Sequence, residues 1–416
     1  MALVNIRDIV YHAYNNRYAI GSFEIVSFDF LTAVISAAQT CGSPVILSVT
    51  DADQMPSEFE ALTAAVERAA LSAKVPVAIQ FGRGTSLESI VRAIRLGCNG
   101  VAVDPSGQAL AAAIKTTLEI TELAQHCGIA VEGKFGQGED YHEVDSTHTR
   151  AGETANCSSV QEAIAYAQQT NIDFLNISVG TTRVESNSPP RLDDPRLTKI
   201  NETLAIPLVV HGDNALTDDQ YHELIGHGVA KINYSTALTD LAARYVFENR
   251  TATNSSSFRM WLQGLQHAVH AEIIRCMHLW GGAGRAAQVL VQCRPWENVE
   301  HVIIFNDKND NDEDTMQMFD RGQQQLSTIP GVRDVLVGKS VKQDSRFRYA
   351  WLIRFCSREV VEYYKEHPVH KHYADHYFRP RAGERITSDF RILNRITSLS
   401  SDVSEATAAG SPEQDA

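Results

Sequence analysis

No stretch of the 416-residue chain supplies the roughly 20 consecutive apolar residues that a bilayer-spanning helix requires. The N-terminal MALVNIRDIV lacks the pattern of a secretory signal. CxxC spacing is missing too: Cys41, Cys98, Cys127, Cys157, Cys276, Cys293 and Cys356 are scattered and odd in number. Such a set argues against a disulfide framework and fits reduced thiols. Finally, the chain has no excess of positive charge. A net charge of -14 argues against a phosphate backbone as the main partner. We therefore expect a soluble, cytoplasmic protein that binds a small molecule, with no nucleic-acid or membrane signature.

What is present is ordinary globular composition and a strong alternation of elements, with 44% hydrophobic and 21% charged residues. Short apolar runs predict strands at Tyr18–Glu24, Pro44–Thr50, Val75–Phe81, Gly100–Asp104, Ile129–Lys134, Asp173–Val179, Pro207–His211 and Ala230–Asn233. Helical patterns fall between them, as at Phe30–Cys41, Glu58–Leu71, Leu87–Leu96, Leu110–Cys127 and Val160–Thr170. Eight strands alternating with helices over about 250 residues predict a (β/α)8 barrel, with a doubly wound open sheet as the competitor.

In a barrel the C-terminal strand ends converge on one mouth. That mouth would gather Glu24, Ser48, Thr50, Gln80, Asp104, Glu132, Lys134, His211 and Asn233, with Arg83 and Arg183 on the adjoining loops. Glu132 and Lys134 in IAVEGKFG alternate onto the same face of their strand. Burying an acid and a base there is costly unless they are paired or working. This pair is accordingly expected at the centre of a site.

A helical run from Phe258 to Trp280 closes in GGAGRA and sets the end of the first domain at Ala287. Residues 288–298 read as a linker. Strand patterns at Glu300–Phe305, Val332–Gly338 and Tyr349–Phe355, with intervening helices, predict a small α+β domain over 299–393. Residues 394–416 turn to Ser, Thr, Ala, Glu and Pro and read as a disordered tail.

The motifs SFEIVSFDF, SPVILSVT, VPVAIQFGRG, GVAVDPS, VEGKFGQGED, PLVVHGDNAL and KINYSTAL occur in one order between Leu3 and Ala287. Together they resemble the class II fructose-bisphosphate aldolases, the metal-dependent ketose-bisphosphate aldolase superfamily. That resemblance implies a TIM barrel and carbon–carbon lyase chemistry on a sugar-derived carbonyl compound. It also exposes departures. Where the family carries a His-Leu-Asp-His-Gly type of motif, with a zinc ligand and a catalytic aspartate, this chain has Gln80, Phe81, Gly82, Arg83 and Gly84. A second family zinc histidine is matched by Arg183, and the third is retained as His211.

Guanidinium groups offer no lone pair to zinc. The resemblance thus leads us to expect no zinc and no required cofactor. His211 stays the residual metal candidate, and Glu24, Asp104, Glu132 and His211 form an alternative hard-ligand set for Mg²⁺ or Mn²⁺. Lys134 stands where the family often has a second glutamate. Beside Arg83 and Arg183 it would be favoured as a neutral amine, and so as a Schiff-base nucleophile. Glu24, Glu132 or His211 would move protons; pairing of Lys134 with Glu132 is the alternative reading.

Substrate contacts are expected from Arg83, Arg183, Asp104, Ser48, Gly212, Asn214, Asn233 and Thr236. Asp213 in the Gly212–Ala215 loop would repel a phosphate, whereas the arginines suit an anionic group. A sugar isomerase or epimerase, or a ligand-binding scaffold without catalysis, are the competing functions.

The C-terminal unit, through EHVIIF, the VGK stretch, YAWLIRF, YYKEHPVH and the later DF, resembles the stress-responsive dimeric α/β-barrel (Dabb) domains, which are ferredoxin-like. That resemblance implies pairing through the sheet and hence a homo-oligomer. It also marks His301, Tyr364 and His370 as pocket residues, with a structural or dimer-forming role favoured over catalysis.

Overall fold

The computed structural model describes residues 2–51, 55–105, 107–135, 159–177, 192–212, 216–249, 258–309 and 311–392. Arg183, Asn214 and the expected tail therefore lie outside the described residues.

Eight parallel strands close into a barrel in sequence order: β1 (Ile20–Glu24), β2 (Val45–Val49), β3 (Val77–Gly84), β4 (Gly100–Val103), β5 (Ala130–Phe135), β6 (Phe174–Ile177), β7 (Leu208–His211) and β8 (Val229–Tyr234). The doubly wound alternative is excluded because β8 pairs with β1. Side-chain alternation explains how these runs make two cores. Phe23, Leu47, Ile79, Val101, Val131, Leu175, Val210 and Ile232 are buried in the larger core, which includes the surrounding helices. Ile20, Ile46, Ala78, Ala130, Phe174 and Val209 form a second cluster with Ile6, Ile9, Val10 and Ala13 of the helix Ile6–Asn15. This apolar plug fills the barrel's base and leaves the polar side chains above it.

Two irregularities aim side chains at the mouth. Phe81 pairs with Val101 but Gly84 with Val103, so β3 carries one extra residue and runs past its expected end at Phe81. Such a bulge bends a strand and redirects its side chains, here at Gly82 and Arg83. A second shift sets Leu208 against Val229 but Val209 against Lys231.

The C-terminal unit is a four-stranded antiparallel sheet of β9 (Val299–Asp307), β10 (Val332–Lys339), β11 (Tyr349–Phe355) and β12 (Ala382–Arg391), ordered β10-β11-β9-β12. The last strand is absent from the expectations above: on this edge strand Glu384 and Ser388 interrupt the apolar face that Ile386 and Phe390 share. The expected linker is instead partly structured. The helix Ala286–Gln292 crosses residue 287, and Arg294 forks onto Asp8 at 2.8 and 2.9 Å.

The two units are joined firmly. Arg333 grips Glu67 with both terminal nitrogens, at 2.6 and 2.9 Å, and its Nε donates to the Arg95 carbonyl at 3.0 Å. Ser357 Oγ donates to the Cys127 carbonyl at 2.7 Å. Arg95 ends one barrel helix and Cys127 caps another. Helix C-termini in this fold lie at the end of the barrel opposite the mouth. The second domain thus docks away from the strand ends that build the candidate site.

Candidate active site

Glu132 on β5 is the hub of the barrel interior. Its Oε1 accepts from Asn176 Nδ2 at 2.8 Å and from Asn233 Nδ2 at 3.0 Å. Its Oε2 accepts from Gln80 Nε2 at 2.8 Å and from Lys231 Nζ at 2.8 Å. Four donors from β3, β6 and β8 thereby fill about the four lone-pair sites of an ionised carboxylate. Glu132 is 1% exposed and Lys231 0%. Burial alone would raise the Glu132 carboxyl, but the Lys231 ammonium and the hydrogen bonds from Lys231, Gln80 and Asn233 overrule it and hold it at about 2. Burial also pushes the Lys231 ammonium down, and Glu132 offsets part of that.

The buried acid–base pair is accordingly Glu132–Lys231, and not Glu132–Lys134 as one sequence reading allowed. Residues 132 and 134 share a face but sit one strand repeat, roughly 6–7 Å, apart along the barrel axis. Lys134 therefore reaches the rim, where its Nζ lies 3.0 Å from Asp104 Oδ2. Arg83 Nε stands 3.8 Å from the same oxygen. The expected crowding of Lys134 by a guanidinium is thus relieved, at least on the Arg83 side, by a carboxylate between the two cations. Lys134 remains 16% exposed and Arg83 45%, so this trio lies at the barrel entrance.

The other expected residues fall at the same end. His211, at the exposed end of β7, has Nε2 3.2 Å from Asn176 Nδ2. Glu24 accepts from Ser235 Oγ. Asn233 Oδ1 accepts from Lys231 Nζ, so its amide is fixed on both sides. Gly212 donates its N–H to the Asn233 carbonyl at 2.8 Å. A Cβ at 212 would stand 2.6 Å from the Tyr234 ring, which explains the glycine. Thr236 is exposed at the start of the helix Thr236–Asn249. Ser48 Oγ occupies the space into which a Cβ at Gly82 would project, at 2.5 Å. An aspartate at position 82 therefore has no room unless Ser48 moves.

These donors do not fit a zinc ion. Among the described residues His211 is the one imidazole at the strand ends, and its Nε2 faces an amide N–H. Arg83 and Gln80 occupy the end of β3. The hard-cation set of Glu24, Asp104, Glu132 and His211 does not assemble either. Glu132 is saturated and Asp104 is held by Lys134. Among the described residues no three His, Cys, Asp or Glu side chains gather to hold an ion.

In the C-terminal domain, His301 Nδ1 lies 2.6 Å from Asp389 Oδ1 across the β9–β12 pair. The Tyr364 ring packs 6.0 Å from His301 and 4.3 Å from His370. Burial pushes the Tyr364 hydroxyl up and the His370 imidazole down. His370 Nδ1 is 3.1 Å from the Lys365 carbonyl. This cluster sits on the helix-covered face of its sheet, in a domain docked at the opposite end of the barrel, so it does not join the mouth.

Sequence reasoning missed Lys231, Asn176, Ser235 and Asp389 as site residues, and treated Gln80 only as a strand-end polar group. The available signal was a lysine inside the apolar run VAKINY, together with an asparagine inside FLNI. Both are polar residues with no place in a buried strand unless they bond to each other's neighbours.

Comparison with known proteins follows the same division. Residues 4–285 match the family model described as fructose-bisphosphate aldolase class-II, and residues 299–392 match that of the stress responsive A/B barrel domain. Fructose-bisphosphate aldolase of Thermus caldophilus is 29% identical, over 68% of this chain and all of its own length. Sulfofructosephosphate aldolase of Alkalicoccus urumqiensis is also 29% identical, over 57% of this chain and 82% of its own. The crystal structure of the YdjI aldolase from Escherichia coli K12 superposes with a TM-score of 0.60 at 27% identity, covering 68% of this chain and 99% of that one.

Proposed function

The chain belongs to the class II fructose-bisphosphate aldolase family through its barrel, and from that premise we propose that it is an aldolase-type lyase that works with Lys134 in place of zinc. The observation that carries this reading is an amine with solvent access at the mouth: Lys134 lies 3.0 Å from Asp104, a carboxylate that pairs with the resting ammonium and stands within reach to accept its proton when substrate enters. Lys231 is unsuited to the same task because it is fully buried and bonded to Glu132 and Asn233.

In this mechanism Asp104 takes a proton from Lys134, and the amine attacks the substrate carbonyl carbon. Loss of water from the carbinolamine gives an iminium. The bond between the α- and β-carbons then breaks: its electrons pass into the iminium to give an enamine as a base removes the proton of the β-hydroxyl, which leaves as the carbonyl of the first product. Protonation of the enamine carbon and hydrolysis by water release the second product and restore the amine. Glu24 is the candidate base, and His211 could share that task only on leaving Asn176. Glu132 is reassigned from proton carrier to anchor, since its lone pairs are filled.

Relatives named for sulfofructosephosphate and for 6-phospho-5-dehydro-2-deoxy-D-gluconate support a phosphorylated sugar-derived substrate with a further polar or anionic group. Arg83 and the expected Arg183 suit such a group. The protein would act in the cytoplasm as a homodimer. Its pairing surface would be the sheet face opposite His301, where Leu336, Leu352, Ile386 and Phe390 are 38% to 52% exposed. A second copy is the occupant, and Leu352→Glu should halve the mass measured by light scattering.

The test of the activity is aldol cleavage of a ketose- and keto-acid-phosphate panel with EDTA present. Cleavage that survives the chelator supports the reading. Cleavage that EDTA abolishes and zinc restores would sink it.

A further inference from the structure

We infer that Asn176 is a positioning residue which, oriented by the Glu132–Lys231 pair, holds His211 as the neutral tautomer with its proton on Nδ1; this rests on reading His211 as part of the aldolase site. Glu132 is an ionised carboxylate and can only accept hydrogen bonds. The Asn176 atom 2.8 Å from its Oε1 must therefore be the amide nitrogen, which fixes the rotation of the side chain.

That nitrogen carries a second hydrogen, and His211 Nε2 lies 3.2 Å away. An N–H pointing at Nε2 needs a lone pair there, so the neutral ring keeps its proton on Nδ1. Lys231, itself buried, sustains the charge that starts this sequence. Four residues on β8, β5, β6 and β7 are thus coupled in one direction, from Lys231 to Glu132 to Asn176 to His211. His211 then meets the substrate side of the site with Nε2 already engaged. Nε2 serves as a base only if Asn176 turns away.

The inference is tested by ¹⁵N NMR of protein labelled at its 15 histidines, recorded about two pH units above the usual imidazole value of ~6.5. The His211 signals are identified by their loss in His211→Gln. The wild-type ring should show a protonated Nδ1 and an unprotonated Nε2. Asn176→Ala, and Asn176→Leu as a larger apolar control, should each give a tautomer mixture, because neither offers an N–H to Nε2. A wild-type ring protonated on Nε2 would overturn the inference, as would an Asn176→Ala protein with wild-type circular dichroism and unchanged His211 shifts. The spectrum requires no turnover, so a Nδ1-protonated His211 in a protein that cleaves no substrate would retire the proposed activity and leave this inference standing.

Discussion

Among its described residues the barrel holds two carboxylate–lysine pairs, one above the other, and they differ in nearly every physical respect. Glu132–Lys231 is sealed from water and shares its hydrogen bonds among three further strand residues. Lys134–Asp104 stands at the rim with Arg83 at hand and part of the lysine exposed. One repeat along β5 separates a scaffold from a reactive edge. The comparison teaches that burial of an ionisable pair is not itself a mark of chemistry. A fully satisfied buried pair is rigid, whereas a pair with solvent access can exchange a partner for a substrate.

Four changes should break or sharpen this contrast. The largest effect belongs to the hub. Lys231→Met leaves Glu132 buried and unbalanced and should cost about 3–5 kcal/mol in urea unfolding. The double variant Lys231→Met/Glu132→Leu should recover much of that loss, and failure to recover would deny the pairing. At the rim, Lys134→Ala should lower turnover by about a thousandfold, roughly 4 kcal/mol, yet shift stability by less than about 1 kcal/mol. Equal losses of both would erase the distinction between the layers.

Acid comes next. The folded carboxyl of Glu132 lies at about 2 against an ordinary 4.5. Its stabilisation is therefore complete above about 4.5 and is lost as the pH falls towards 2. The contribution is on the order of 3 kcal/mol, and chemical denaturation across that window should show a shallower slope in Glu132→Gln. The smallest effect is that of Arg83→Ala, which should raise KM for an anionic substrate about tenfold with kcat and stability little changed.

The sequence made the barrel legible because its two-residue alternation and eight-fold repeat are local patterns, and both survive in the helix-facing and plug layers. The rim was legible as a place: Lys134, Asp104 and Arg83 all follow from strand ends. Their pairing was not, because it depends on how far along the axis each side chain reaches and on the bulge in β3. The hub was hidden for a related reason. Lys231, Asn176 and Gln80 come from three different strands and converge on Glu132 only after closure, so no spacing in the chain connects them. The strand Ala382–Arg391 is hard to read because Glu384 and Ser388 interrupt the apolar face that Ile386 and Phe390 share. His301, Tyr364 and His370 lie beside one another in the structure, and Asp389, opposite His301 in the register, becomes visible only there.

The most direct test of the account is borohydride reduction of EDTA-treated protein in the presence of each ketose phosphate of the panel, followed by peptide mass spectrometry. A reduced substrate adduct is expected on Lys134, with Lys231 unmodified. A protein that turns over substrate only with added zinc, and in which Lys134 never acquires the adduct, would contradict it.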